Sequence, residues 1–114
     1  MSKFKLTIRH GSKVKRESYG TLGEATAALQ ERAEAIRADG GLPEVSAFRT
    51  YAPSARIHAR LEISTGGALR GRDAGIDVMG DGVLVPYRGG IARKPIVAAD
   101  GQSPFDAVAE ALDA

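Results

Sequence analysis

Cysteine is absent from this 114-residue chain, which removes disulfides, thiolate nucleophiles and cysteine-ligated zinc or iron–sulfur sites together. Tryptophan is absent too, and aromatic residues make up only 5%. That is too few for the stacking platforms of RNA-recognition and single-strand-binding modules. Histidine occurs twice, as His10 and His58. A metal site would then have to recruit carboxylates, and on a strand His58 and Glu62 stand ~13 Å apart, too far to share one ion. Neither a metal nor a cofactor is expected. No apolar run approaches the ~20 residues of a membrane span, and the opening MSKFKLTIRH lacks a signal-peptide core. The expectation is a cytoplasmic protein without a membrane partner. Phosphate-cradling GxxxxGK[ST] and GxGxxG loops are missing, as is a GxSxG elbow, and Ser46, Ser54 and Ser64 have no evident base nearby.

What is present belongs to an ordinary globular chain. Hydrophobic residues account for 43% and charged residues for 26%, at a length that suits a single domain spanning 1–114. Sixteen basic and fourteen acidic residues leave a net charge of only +2. Their distribution is uneven. Residues 1–16 carry Lys3, Lys5, Arg9, Lys13, Lys15 and Arg16 with no acid, whereas residues 100–114 carry Asp100, Asp106, Glu110 and Asp113 with no base. Such asymmetry suits a polyanionic partner or head-to-tail self-association, as well as a merely solvated surface.

Phe4, Leu6 and Ile8 alternate with Lys3, Lys5, Thr7 and Arg9, the period of a half-buried strand. Gly11-Ser12 predicts a tight turn and Lys13–Tyr19 an antiparallel partner. Thr21-Leu22-Gly23-Glu24 fits a capping box, and Leu22, Ala25, Leu29, Ala33 and Ile36 then recur at helical spacing. A helix over 21–39 follows, stopped by Gly40-Gly41 and Pro43. Strands are expected over Val45–Tyr51, Arg56–Ser64, Ile76–Met79, Val83–Tyr87 and Ile91–Ala99, with Thr65–Asp73 a glycine-rich loop and Gly80-Asp81-Gly82 a hairpin turn. Asp81 is read as the turn residue that tolerates positive φ, and Pro86 as the mark of an edge strand or a strand end. Ser103-Pro104 starts a second helix whose stripe is Phe105, Val108, Ala109 and Leu112. The order ββα, then four or five strands, then α, predicts an α+β fold: a mainly antiparallel sheet with two helices packed on one face.

Three functions are compatible with these residues. The first is a non-enzymatic interaction domain acting through self-association, as in a homodimer, or through a protein partner. The second is nucleic-acid binding by Lys3, Lys5, Arg9, Lys13, Lys15 and Arg16, since a basic antiparallel ribbon can follow a phosphate backbone. The stretch Lys13-Val14-Lys15-Arg16-Glu17-Ser18-Tyr19-Gly20-Thr21 before a helix resembles the strand–strand–helix arm-binding domains of tyrosine recombinases over the first third of the chain. Their third strand before the helix has no counterpart here, and the shared features are generic. The third is metal-independent ribonuclease chemistry, with His10 and His58 as general base and acid beside Arg56 and Arg60.

Overall fold

Alternation in the first strand fixes one face of a sheet, and the rest of the chain assembles on that face. The computed structural model describes residues 4–39, 57–65, 72–89 and 93–113. Eight elements follow in order: β1 (Phe4–His10), β2 (Lys13–Tyr19), α1 (Leu22–Ala38), β3 (Ile57–Thr65), β4 (Asp73–Met79), β5 (Leu84–Arg88), β6 (Lys94–Pro95) and α2 (Pro104–Asp113). The strands form one sheet in the order β2-β1-β3-β4-β5-β6, every neighbouring pair antiparallel. The expected α+β class holds, with both helices on one sheet face.

That face is apolar because Leu6 and Ile8 of β1 pair with Ile63 and Leu61 of β3, which pair in turn with Ala74 and Ile76 of β4. These side chains are buried with Ala25, Leu29 and Ala33 of α1 and with Phe105, Val108, Ala111 and Leu112 of α2. Ala111 therefore stands in the α2 stripe where Ala109, only partly buried, was expected.

Both helix starts follow the sequence. Glu24 donates its N–H to the Thr21 hydroxyl at 3.1 Å, and that hydroxyl also meets the Glu24 carboxylate. At α2 the Asp106 N–H donates to Ser103 Oγ at 3.0 Å, while the Ser103 N–H reaches the Asp106 carboxylate at 3.4 Å.

Four differences from expectation have local causes. Strand β4 starts at Asp73, three residues before the expected Ile76, because residues 73–76 continue the ladder with β3 and β5. In the β4–β5 turn it is Gly82, at φ +90°, that takes the left-handed position; Asp81 instead accepts the Val83 N–H on its carboxylate. Pro86 sits inside the sheet rather than at its edge. Its carbonyl accepts from Ile96, so its donor-free nitrogen faces the short β6 and costs the β4 ladder nothing. Of the strand expected over Ile91–Ala99, the described residues 93–99 form only Lys94–Pro95. The Val45–Tyr51 strand, the Gly40-Gly41 stop, Lys3, Arg56 and most of the Thr65–Asp73 loop lie outside the described residues.

Gly75 is where backbone approach is closest. A Cβ there would collide with the Leu61 carbonyl oxygen and lie 2.8 Å from Glu62 Cα, both of them main-chain atoms that cannot swing away. Gly75→Ala should lower stability by about 3 kcal/mol, the upper end for overpacking. The urea midpoint, compared with that of Gly23→Ala, reads this directly, since a Cβ at Gly23 meets open space. Equal midpoints would refute the close approach.

Candidate functional site: the basic hairpin and the histidine pair

Side chains directly opposite on antiparallel strands share a face, so the β1–β2 register divides the hairpin cations. Leu6 and Ile8 point into the core, and their partners Glu17 and Lys15 therefore lie on the helix side, as does Lys13 opposite His10. Lys5, Thr7 and Arg9 point the other way, with Ser18, Arg16 and Val14 opposite them. Lys5, Arg9 and Arg16 thus stand on the open face of the sheet, and Lys13 and Lys15 on the face that α1 covers. The expected basic surface is one ribbon with cations on both sides, wrapped around the sheet edge formed by β2.

Acidic groups do little to offset this charge. Glu17 is the one carboxylate within β1 and β2, and Arg32 of α1 holds it through Nη2 at 2.8 Å. Those hydrogen bonds keep the Glu17 carboxyl below its ordinary pKa. Among the described residues, Lys5, Arg9, Lys13, Lys15 and Arg16 form no ion pair.

The two histidines, 48 residues apart in sequence, meet at the end of this ribbon. Regular alternation would put His58 on the face opposite Ala59, and so opposite His10, which pairs with Ala59. A register shift between Ile57 and Ala59 interrupts the ladder at His58, and bulges of this kind re-aim a side chain. His10 Nε2 and His58 Nε2 lie 3.1 Å apart, with ring centroids at 4.6 Å and planes at 77°. One imidazole donates and the other accepts.

Two cavities flank the pair. An open cleft of about 720 Å³ lies against the hairpin turn, walled by Arg9, Lys13, His58 and Arg60 among others. A smaller space of about 230 Å³ lies between the hairpin and α1, where His10, Lys13, Lys15 and Arg32 line it with Ala35 and Ile36. No carboxylate lines either cavity among the described residues.

A second polar cluster, which sequence reasoning missed, occupies the sheet face opposite the two helices. Asp77 of β4 is fully buried and accepts from Arg60 Nε at 2.8 Å and from Arg93. Tyr87 of β5, also fully buried, donates its hydroxyl to Glu62 at 3.0 Å. The Arg60 and Arg93 guanidinium carbons lie 5.5 and 4.8 Å from the centre of the Tyr87 ring. Burial, with Glu62 beside it, pushes the Tyr87 phenol far above its ordinary pKa. Two cations face two carboxylates here, and each buried polar atom of the described residues has a partner. The cluster is a closed network that fastens β3, β4 and β5 together. The one sequence sign of it was an aspartate set between Ile76 and Val78.

Among the described residues no three or more His, Asp or Glu side chains gather where they could hold a metal ion, and no helix is long and apolar enough to cross a membrane. Compared with protein-family models, curated proteins and solved structures, the chain matches none.

Proposed function

We propose that this chain is a cytoplasmic, non-enzymatic binding domain whose working surface is the β1–β2 hairpin, and that its partner is a polyanion of the nucleic-acid class. One observation carries the reading: five hairpin cations, Lys13, Lys15 and Arg16 on the edge strand β2 and Lys5 and Arg9 on β1 beside it, have no acid partner among the described residues, and the only hairpin carboxylate is occupied by Arg32. A rigid ribbon presenting cations on both sides can neutralise phosphates along a groove.

A second reading, self-association or a protein partner, is favoured by the other end of the chain. Asp106, Glu110 and Asp113 are exposed on α2, which packs on β4 and β5 away from the basic edge. Acid-to-base contact between copies would be heterologous and head-to-tail. The ribonuclease reading is supported by the meeting of His10 and His58, but the mechanism needs the two imidazoles on either side of one phosphate. Bonded to each other, their two Nε2 atoms stand side by side 3.1 Å apart rather than on opposite sides of a phosphate.

Anisotropy of a labelled random-sequence DNA duplex at ~50 and ~200 mM salt tests the proposal. Micromolar binding should weaken steeply with salt, and each cation lost from the contact should lower the log–log slope by about 0.9. Replacing Lys5, Lys13, Lys15 and Arg16 by alanine should therefore flatten the slope by about 3 to 4. An unchanged slope, or no binding at low salt, would reject the hairpin. Mass growing with concentration at low salt, in sedimentation without DNA, would favour the head-to-tail reading.

A further inference from the structure

We propose that the His10–His58 pair holds a single phosphate group, with both imidazoles protonated in the bound state. The proposal rests on the hairpin being a polyanion surface, and identifies the point on it where one phosphate is gripped.

In the free pair, one Nε2–H lies between the two rings. When the second ring also carries a proton on Nε2, the hydrogen bond between them is lost and two N–H donors face the same gap. Like charge then turns the rings, which stand at 77° to one another, away from mutual contact, and both adjacent N–H groups can be offered to one phosphate. No carboxylate among the described residues is placed to balance the added charge. The charged groups packed around the pair are Arg9 from β1, Lys13 and Lys15 from β2, Arg32 from α1 and Arg60 from β3. Arg32 is engaged by Glu17, and Arg60 by Asp77. Arg9, Lys13 and Lys15 remain, so an arriving dianion or diester meets cations on both sides of the imidazoles. The same cations disfavour a metal ion at this pair.

The His58 bulge is consistent with this role. It breaks the β3–β4 ladder at the one residue whose re-aiming joins the pair, and a core-facing strand end needs no such break.

Proton uptake on binding follows from the proposal. Histidine is the side chain that titrates between pH 5 and 8, so affinity for phosphate should rise as pH falls through that range. For a labelled DNA duplex at ~50 mM salt, the affinity at pH 6 should exceed that at pH 8 by about tenfold, the worth of one charge-assisted hydrogen bond. The double variant His10→Gln with His58→Gln should lose that dependence and bind about tenfold more weakly than wild type at pH 6. An equal pH dependence in the variant would overturn the proposal and leave the hairpin reading standing.

A second measurement protects against a misfolded variant and against failure of the hairpin reading. In wild-type protein, the histidine ring C–H signals are followed by NMR during titration with inorganic phosphate at pH 6. Saturable movement of both rings toward the protonated position supports the site, even if DNA does not bind. Static signals overturn it, whatever DNA does.

Discussion

Replacing Arg60 and Arg93 together by leucine should cost the fold about 3–5 kcal/mol, the loss expected when a buried charge is stripped of its partners. Asp77 is 0% exposed, whereas the Arg60 and Arg93 side chains are 34% and 37% exposed. The network is therefore asymmetric. Without its arginines the carboxylate stays in the sheet with no donor, but without the carboxylate the guanidiniums can turn into water. Asp77→Leu alone should accordingly cost less than the double arginine variant. Adding Asp77→Leu to that double variant should recover much of the loss, because no charge is then left unpaired. Urea midpoints with unchanged m-values measure all three. A double arginine variant no less stable than Asp77→Leu would mean that the buried carboxylate does not depend on these partners.

The same network marks where local sequence signals end. Those legible beforehand are short in range: the alternation Phe4, Leu6, Ile8, the capping box at Thr21, the Ser103-Pro104 helix start, and the glycine turn before Val83. Each needs only residues within a few positions. The start of β4 was hidden because Asp73, Gly75 and Asp77 are poor strand formers by themselves. They suit a strand only through distant partners: Gly75 lies against Leu61 and Glu62 of β3, while Asp77 needs Arg60, 17 positions before it, and Arg93, 16 after it. Local propensity is silent about such pairings.

The candidate site was legible in parts. His10 and His58 and the hairpin cations could be named, but not their arrangement. Strict alternation puts His58 with Arg60 on the open face, and only the bulge at Ile57–Ala59 turns it toward His10. Likewise, six cations in sixteen residues read as one patch, and the β1–β2 register distributes those described over two faces. A one-residue difference in register or a single bulge exchanges the faces, and neither is written in the hydrophobic pattern of so polar a strand as β2.

Tyr87 should make the fold sensitive to alkali. Its phenol is fully buried, and desolvation, with the Glu62 carboxylate adding to it, holds the proton on well above the ordinary value of 10.0. Above pH 10 the unfolded chain loses this proton while the folded chain keeps it, so the unfolded state binds fewer protons and stability falls as pH rises. The slope from one such group rises toward about 1.4 kcal/mol per pH unit, which amounts to about 2.3 kcal/mol between pH 10 and 12. Tyr87→Phe should start lower at neutral pH, by about 1 kcal/mol for the lost bond to Glu62. Its curve should then be flatter than that of wild type through the alkaline range, and the two should converge. Tyr19 provides the comparison: burial and its bond to Glu17 also raise its phenol, but it lies at the sheet edge, so Tyr19→Phe should leave most of the alkaline slope in place. Tyrosinate absorbance gives an independent reading. One of the chain's three tyrosines should ionise only as the sheet opens, and its step should coincide with the loss of secondary structure. Full tyrosine ionisation in a chain still folded would show instead that water reaches Tyr87, and that the network on the sheet face opposite the two helices is looser than its geometry implies. The hairpin cations of β1 would then stand beside a yielding surface, because β3, which carries Arg60 and Glu62 of this network, is the strand that pairs with β1.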